Sequence, residues 1–202
     1  VSVLVKICGV TCVEDARLCH EAGADWIGLV FAPGPRRVST TTARLIREAV
    51  PEATLVGVFV CGSSVAIAAT ARMVGLDMLQ LHRPVDPVLA RNLREQTGLP
   101  QIQLAEPNPD PRLRPAWWLF DLPKGRRATR AARESLWERA AGAARHQGLP
   151  VVLAGRLTAD DVAAAVAAVS PAVVDVSSGV ERAPGRKSPT LVRRFIEEVR
   201  RA

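Results

Sequence analysis

No stretch of this chain approaches the run of about 18 apolar residues that a bilayer crossing needs. Its first residues carry neither a basic flank nor a small-residue cleavage site, so a cytoplasmic, soluble protein without a membrane partner is expected. Cysteine is scarce and unpatterned: Cys8, Cys12, Cys19 and Cys61 form no Cys-x-x-Cys pair, and His20, His82 and His146 are scattered. That spacing excludes a disulfide framework and a zinc site, so no metal is expected and the thiols should stay reduced. Lysine is nearly missing, present only as Lys6, Lys124 and Lys187, so the formal net charge of +7 rests on arginine spread along the chain. The one dense basic cluster, Lys124, Arg126, Arg127, Arg130 and Arg133, has no aromatic residue interleaved to stack a base. A nucleic-acid partner is therefore not expected, whereas a positive cleft would gather small anions. Low-complexity segments are missing as well.

What is present is a regular alternation. The 202 residues, 48% apolar, suffice for one large core, and one domain over residues 1–202 is expected. Apolar, β-branched runs mark eight strands at Val3–Cys8, Trp26–Phe31, Leu55–Val60, Met78–His82, Gln101–Ala105, Trp117–Asp121, Val151–Ala154 and Val173–Val176. Helical patterns lie between or after them at Val13–Ala22, Thr41–Ala49, Val65–Met73, Pro87–Thr97, Ala132–Gln147, Ala159–Ala168 and Pro189–Arg201. The fifth connection, Glu106–Pro115, is too rich in proline for more than a turn, so helix 5 is short or missing. Repeated strand–helix units require parallel pairing through right-handed crossovers, and eight of them favour closure. The expected fold class is α/β, a single (β/α)8 TIM barrel of minimal size. Short Gly-Ala-Asp25, Gly-Leu-Asp77, Gly-Leu-Pro100 and Gly-Leu-Pro150 connections precede strands two, four, five and seven, leaving the polar loops, and hence the chemistry, at the strands' C-terminal ends.

Four strand ends on that face carry reactive or anion-binding groups. Strand one delivers Cys8 against Gly9, either as a compact core side chain or as a working thiol. The second loop presents Arg36 and Arg37, a carboxylate fork or a solvated basic turn. Strand six ends on Asp121 after four apolar residues, a turn residue or a carboxyl whose pKa burial would raise so that it serves as a proton donor. Small residues end the last two strands, at Gly155 and at Ser177-Ser178-Gly179, where exposed amides beside a short helix would hold phosphate.

Together these segments resemble the phosphoribosylanthranilate isomerase family of tryptophan biosynthesis. The likeness rests on Val5-Lys-Ile-Cys-Gly9, Gly28-Leu-Val-Phe31, Pro35-Arg36, Gln80-Leu-His82, Leu119-Phe-Asp121, Leu153-Ala-Gly155 and Val174-Asp-Val-Ser-Ser-Gly-Val-Glu181 with Pro184-Gly185 and Lys187. The resemblance implies an isomerase that carries out an Amadori rearrangement of an N-aryl aminoaldose 5-phosphate without a cofactor. It implies Cys8 as general base and Asp121 as general acid, with Arg36 holding the anthranilate carboxylate and Arg37 turned outward. Gln80, His82, Gly155, Arg156, Asp175, Ser177, Ser178 and Gly179 then line the phosphosugar site. A base needs a lowered thiol pKa, which nearby cations can supply. Lys6 shares the strand parity of Cys8, although an ion pair with an acid such as Asp175 is its more economical reading.

Four positions depart from the family pattern and are expected to line or approach the mouth: Thr129-Arg-Ala-Ala132 in place of a glycine-rich loop, Arg156 and Arg83 in place of glycines, and Gln103 in place of a basic residue. Three readings stay open: the anthranilate isomerase itself, an isomerase of another aminosugar phosphate in secondary metabolism, and an inactive phosphosugar-binding paralogue. A related barrel, indoleglycerol-phosphate synthase, would need a catalytic lysine on its central strands, and strands three to five have none. Trp117 or Trp118, read as exposed, leaves a monomer or a homodimer open.

Overall fold

The computed structural model describes residues 2–107, 109–123, 129–147 and 150–202. Lys124, Arg126 and Arg127 of the basic cluster, and Gly148 and Leu149 of the connection before strand seven, lie outside the described residues.

Eight parallel strands close into a barrel in chain order: β1 (Leu4–Cys8), β2 (Trp26–Val30), β3 (Thr54–Phe59), β4 (Met78–Leu81), β5 (Gln101–Leu104), β6 (Trp117–Phe120), β7 (Val151–Leu153) and β8 (Val173–Val176), which returns to β1. Around it lie α1 (Val13–Glu21), α2 (Thr40–Ala49), α3 (Ser64–Val74), α4 (Pro87–Thr97), α5 (Arg130–Gln147), α6 (Val162–Val169) and α7 (Pro189–Arg201). The expected TIM barrel is therefore the fold, and among the described residues no helix joins β5 to β6. Local chemistry sets the helix starts: the side chains of Ser39, Ser63, Asp86 and Ser188 accept from backbone amides of the first turn, and Pro87 and Pro189 begin their helices. Along α7 the apolar residues Val192, Phe195, Ile196 and Val199 recur at helical spacing and are all buried.

Two helix starts differ from expectation by more than one residue. Residues 158–161 form a turn instead of opening α6, because Asp161 accepts from the Thr158 amide at 2.7 Å and closes a local ring. Conversely α5 starts at Arg130, two residues early, where Thr129 Oγ1 accepts from Ala132 N at 3.2 Å.

Strand alternation sorts the core into two layers. Trp26, Val56, Ile102, Leu119, Val152 and Val173 fill the barrel, and Val5, Ile7, Leu29, Leu55, Leu79 and Phe195 lie in the layer between strands and helices. Truncating Leu119 to Ala in the inner layer costs about 2–5 kcal/mol. The tryptophans do not make an exposed patch: Trp117 meets the Trp26 ring edge to face at 5.0 Å inside the barrel, and Trp118 is buried on the helix side. At the N-terminal end, the Asp25 and Asp77 carboxylates accept from the Val5 and Leu55 amides, each at 2.7 Å, and are paired with Arg200 and Arg47. That end is built for stability, and no helix of the described residues is long and apolar enough to cross a membrane.

One element escaped the periodicity reading. After β8 a single 3-10 turn (Ser178–Val180) leads into a hairpin of β9 (Glu181–Ala183) and β10 (Arg186–Lys187), too short and too charged to register as strands. It stands at the C-terminal end of the barrel beside β1: Thr11 Oγ1 donates to Gly185 O at 2.6 Å, and Asp15 accepts from the Lys187 amide at 2.9 Å.

Candidate active site

The C-terminal ends of the strands enclose a cavity of about 370 Å³. Cys8, Arg36, Gln80, His82, Asp121, Gly155, Arg156, Asp175, Ser177 and Ser178 all border it, so ten of the eleven candidate residues converge. Gly179 does not. It passes beneath the seventh loop so closely that a Cβ there would stand 2.0 Å from Leu157 O, so its role is close packing.

On the β1–β8 side, parallel register sets Lys6 beside Asp175, and both side chains point into the barrel. Lys6 Nζ donates to Asp175 Oδ1 at 2.9 Å, with the lysine wholly buried. The ion-pair reading of Lys6 therefore holds, and Asp175 borders the cavity as a committed partner. Burial acts to lower the Lys6 pKa, but Asp175, and after it Cys8, outweigh it and hold the ammonium above its ordinary range. The Cys8 thiol packs against Gly28, where a Cβ would stand 2.8 Å from Sγ. Its pKa is not lowered: burial pushes it up, Lys6 and Lys187 pull it down, and Asp175 adds to the rise. Desolvation wins over the two cations, which corrects the expectation of a low-pKa thiol.

Arg36 enters from the second loop, and its Nε and Nη2 donate to the two oxygens of Glu181 at 2.9 and 2.6 Å. Glu181 in turn accepts from Lys187 Nζ at 3.0 Å. The same ammonium donates to Cys8 O at 2.6 Å and Ser177 O at 3.3 Å, which engages its three protons. Burial acts to raise the Glu181 carboxyl, but Arg36 and Lys187 together hold it below its usual range. Arg37 is exposed at the rim of the same cavity.

The β4–β6 side is more open. Asp121, half-buried just beyond the end of β6, accepts from the Leu122 amide at 2.7 Å, which orients one carboxylate edge. His82 Nε2 lies 3.3 Å from Asp121 Oδ2, and Gln80 Nε2 lies 3.1 Å from His82 Nδ1. An amide nitrogen only donates, so with this amide orientation Nδ1 accepts and the ring proton sits on Nε2, facing Asp121. Gln80 Oε1 and Ser177 Oγ are buried at the cavity and have no hydrogen-bond partner among the described residues, an arrangement a bound polyol or phosphate would satisfy.

Of the four departures from the family pattern, Arg156 alone borders the cavity among the described residues. It holds φ at +60°, the left-handed conformation a glycine adopts freely. The other three do not border the cavity among the described residues. Gln103 lies on the helix side, donating to Gln101 Oε1 at 2.8 Å; Arg83 donates to Gly62 O at 3.2 Å; and residues 129–132 begin α5. The one-residue parity of β5 decides the case of Gln103: Ile102 points into the barrel, so Gln103 points away. Glu181 and Lys187 join the site without having been candidates for it. The signal was there in a lysine, rare in this chain, placed just after Pro184-Gly185.

Comparison with known proteins points to one family. The family model described as N-(5'phosphoribosyl)anthranilate (PRA) isomerase matches residues 5–198. An N-(5'-phosphoribosyl)anthranilate isomerase of Acidithiobacillus ferrooxidans is 39% identical over 208 residues, covering 98% of each chain. The crystal structure of the phosphoribosyl anthranilate isomerase of Thermus thermophilus superposes with a TM-score of 0.80 at 31% identity, covering 97% of this chain and 98% of that one. A phosphoribosyl anthranilate isomerase solved in complex with reduced 1-(o-carboxyphenylamino)-1-deoxyribulose 5-phosphate superposes with a TM-score of 0.78 at 29% identity, covering 99% of this chain and 100% of that one.

Proposed function

The chain belongs to the N-(5'-phosphoribosyl)anthranilate isomerase family, and from that premise we propose how its own residues carry out the reaction. The protein is an isomerase of tryptophan biosynthesis, an intramolecular oxidoreductase that converts an N-aryl aminoaldose 5-phosphate into the 1-amino-1-deoxyketose.

Asp121, as the carboxylic acid, protonates the furanose ring oxygen. The C1–O bond breaks with its electron pair going to that oxygen, and the anthranilate nitrogen lone pair forms an iminium at C1. Cys8, as thiolate, takes the C2 proton; the C–H electrons form a C1=C2 bond and the iminium pair returns to nitrogen. The resulting enolamine moves a proton from the C2 hydroxyl to C1 and becomes the ketone. Asp121 is left as a carboxylate facing the His82 Nε2 proton. Ionising Cys8 is costly because burial dominates, and Lys6, sharing its ammonium between Asp175 and the thiol, is the group that brings the thiolate within reach. Arg36 faces the aryl carboxylate, while Gly155, Arg156, Ser177 and Ser178 take the phosphate end of the phosphosugar substrate.

The observation that carries this reading is that Cys8 and Asp121 open onto one cavity from different strands, with Arg36 and the Gly155–Arg156, Ser177–Ser178 loops bordering it too. A fluorescence assay tests it: the purified protein should consume phosphoribosylanthranilate generated in situ, seen as decay of the anthranilate fluorescence. No decay, with the reduced product analogue still bound, would overturn the assignment.

A further inference from the structure

The second-loop arginine does not stand alone. Glu181 takes two of the five guanidinium N–H groups of Arg36, those on the Nε–Nη2 edge, at 2.9 and 2.6 Å. The end-on Nη1–Nη2 edge retains its donors, and that edge has the spacing of a second carboxylate fork. Glu181 is only 4% exposed, so its orientation is set by the protein and not by solvent. Four bonds set it: the two Arg36 donors, the Lys187 ammonium at 3.0 Å and the Gly185 amide at 3.2 Å all reach its two oxygens from the hairpin and the second loop. Lys187 is wholly buried and otherwise bonded to Cys8 O and Ser177 O. Arg36 also lies across Gly9, where a Cβ would stand 2.6 Å from its Cδ, so the side chain has a seat as well as a tether.

Charge follows the same plan. Glu181 alone would cancel Arg36 and spoil it as an anion receptor. Lys187 cancels Glu181 instead, so the trio Arg36, Glu181 and Lys187 keeps one net positive charge facing the cavity. Asp15 approaches the Lys187 amide and not its ammonium.

We propose that Glu181, itself held by Lys187, is the positioning residue that fixes the Arg36 fork for the aryl carboxylate of the substrate, and so sets the preference for a carboxylated arylamine over an uncharged one. The inference rests on the reading of Arg36 as the carboxylate receptor. Because Lys187 also holds the carbonyl of Cys8, one buried pair gives the receptor and the base a common mount.

The test is a ligand pair: the reduced product analogue with its o-carboxyl group, and the same molecule with a plain phenyl ring. Dissociation constants for both are measured by calorimetry on the full chain. Wild type should prefer the carboxylated ligand, and Arg36→Met should abolish the preference. Glu181→Gln should cut the preference by about tenfold, the loss expected when a bidentate charged contact becomes loose, with affinity for the phenyl ligand changed by less than about threefold on the same scale. Glu181→Asp keeps the charge but is one methylene short, and should behave like Glu181→Gln. The double variant Glu181→Gln, Lys187→Met removes both buried charges at once and covers the case in which the single variant does not fold. Preference surviving Arg36→Met would refute the underlying reading of Arg36. Preference lost in Arg36→Met but intact in the Glu181 variants would refute the inference alone, as would an equal loss for both ligands. Failure of all three Glu181 variants to fold would also overturn it, assigning Glu181 to holding the barrel closed.

Discussion

The two sides of the barrel mouth are built on opposite principles. On the β1–β8 side, the side chains of Lys6, Asp175, Glu181 and Lys187 are buried and bonded to one another or to backbone, and Cys8 and Arg36 are mounted on them. On the β4–β6 side, Asp121 and His82 keep access to solvent, with side chains 20% and 15% exposed, and are joined by a single 3.3 Å contact. The contrast teaches what each partner in acid–base chemistry requires. A thiol that burial pushes up needs fixed cations beside it before it can act as a base, and fixed cations need buried counter-charges. A carboxylic acid that must recover its proton every turnover needs a path to water and a donor nearby.

The largest effect that would break this comparison is on the open side. Asp121→Asn should lower kcat/KM by about 10²–10⁴, the range for a positioned acid, with the reduced analogue bound as in wild type; unaltered turnover would move the acid elsewhere. Next, on the locked side, Lys6→Met leaves the Asp175 carboxylate buried without its partner. It should cost about 3–5 kcal/mol of stability, read by urea unfolding, and push the Cys8 thiol further up. Adding Asp175→Leu should recover most of that stability and none of the turnover, separating the structural share of the pair from its work on Cys8. A smaller effect is expected at Arg156, whose left-handed backbone costs about 1 kcal/mol. Arg156→Gly should stabilise the protein by up to about that amount and raise KM, with kcat little changed; an unchanged KM would show that backbone amides alone serve the phosphate.

The smallest effect concerns pH. The Glu181 carboxyl is held below its ordinary range in the folded chain, so the folded state binds its proton less readily than the unfolded one. Its contribution to stability is present above the unfolded value of about 4.3 and is lost as the pH falls through the lower folded value. The acid limb of the stability curve should therefore be shallower in Glu181→Gln than in wild type.

How much of this could be read from the chain depended on what each feature needs. The barrel was legible because strand–helix alternation is written in residue periodicity, and Val3–Cys8 or Trp117–Asp121 announce themselves within a few residues. Cys8, Asp121 and Arg36 were legible because each ends a strand or sits in the loop beyond one. Glu181 and Lys187 were not, since their work depends on a short hairpin, Glu181–Lys187, folding back on β1 and α1 through contacts between positions 172 and 179 residues apart. Gln103 misled because a strand places neighbours on opposite faces, and a shift of one residue at β5 turns a mouth position into a helix-facing one. The thiol pKa misled because charges can be counted in a sequence, whereas the burial that outweighs them cannot.

The division of labour between the two sides is tested most directly by the kinetic isotope effect on kcat/KM for substrate carrying deuterium at C2, measured in wild type, Cys8→Ser and Asp121→Asn. With Cys8 as the base for that proton, Cys8→Ser makes C–H cleavage the slow step and brings the isotope effect to its full value. Asp121→Asn slows ring opening, which comes first, and takes the isotope effect towards unity. The same isotope effect in both variants, or the reverse pattern, would contradict the assignment of base and acid.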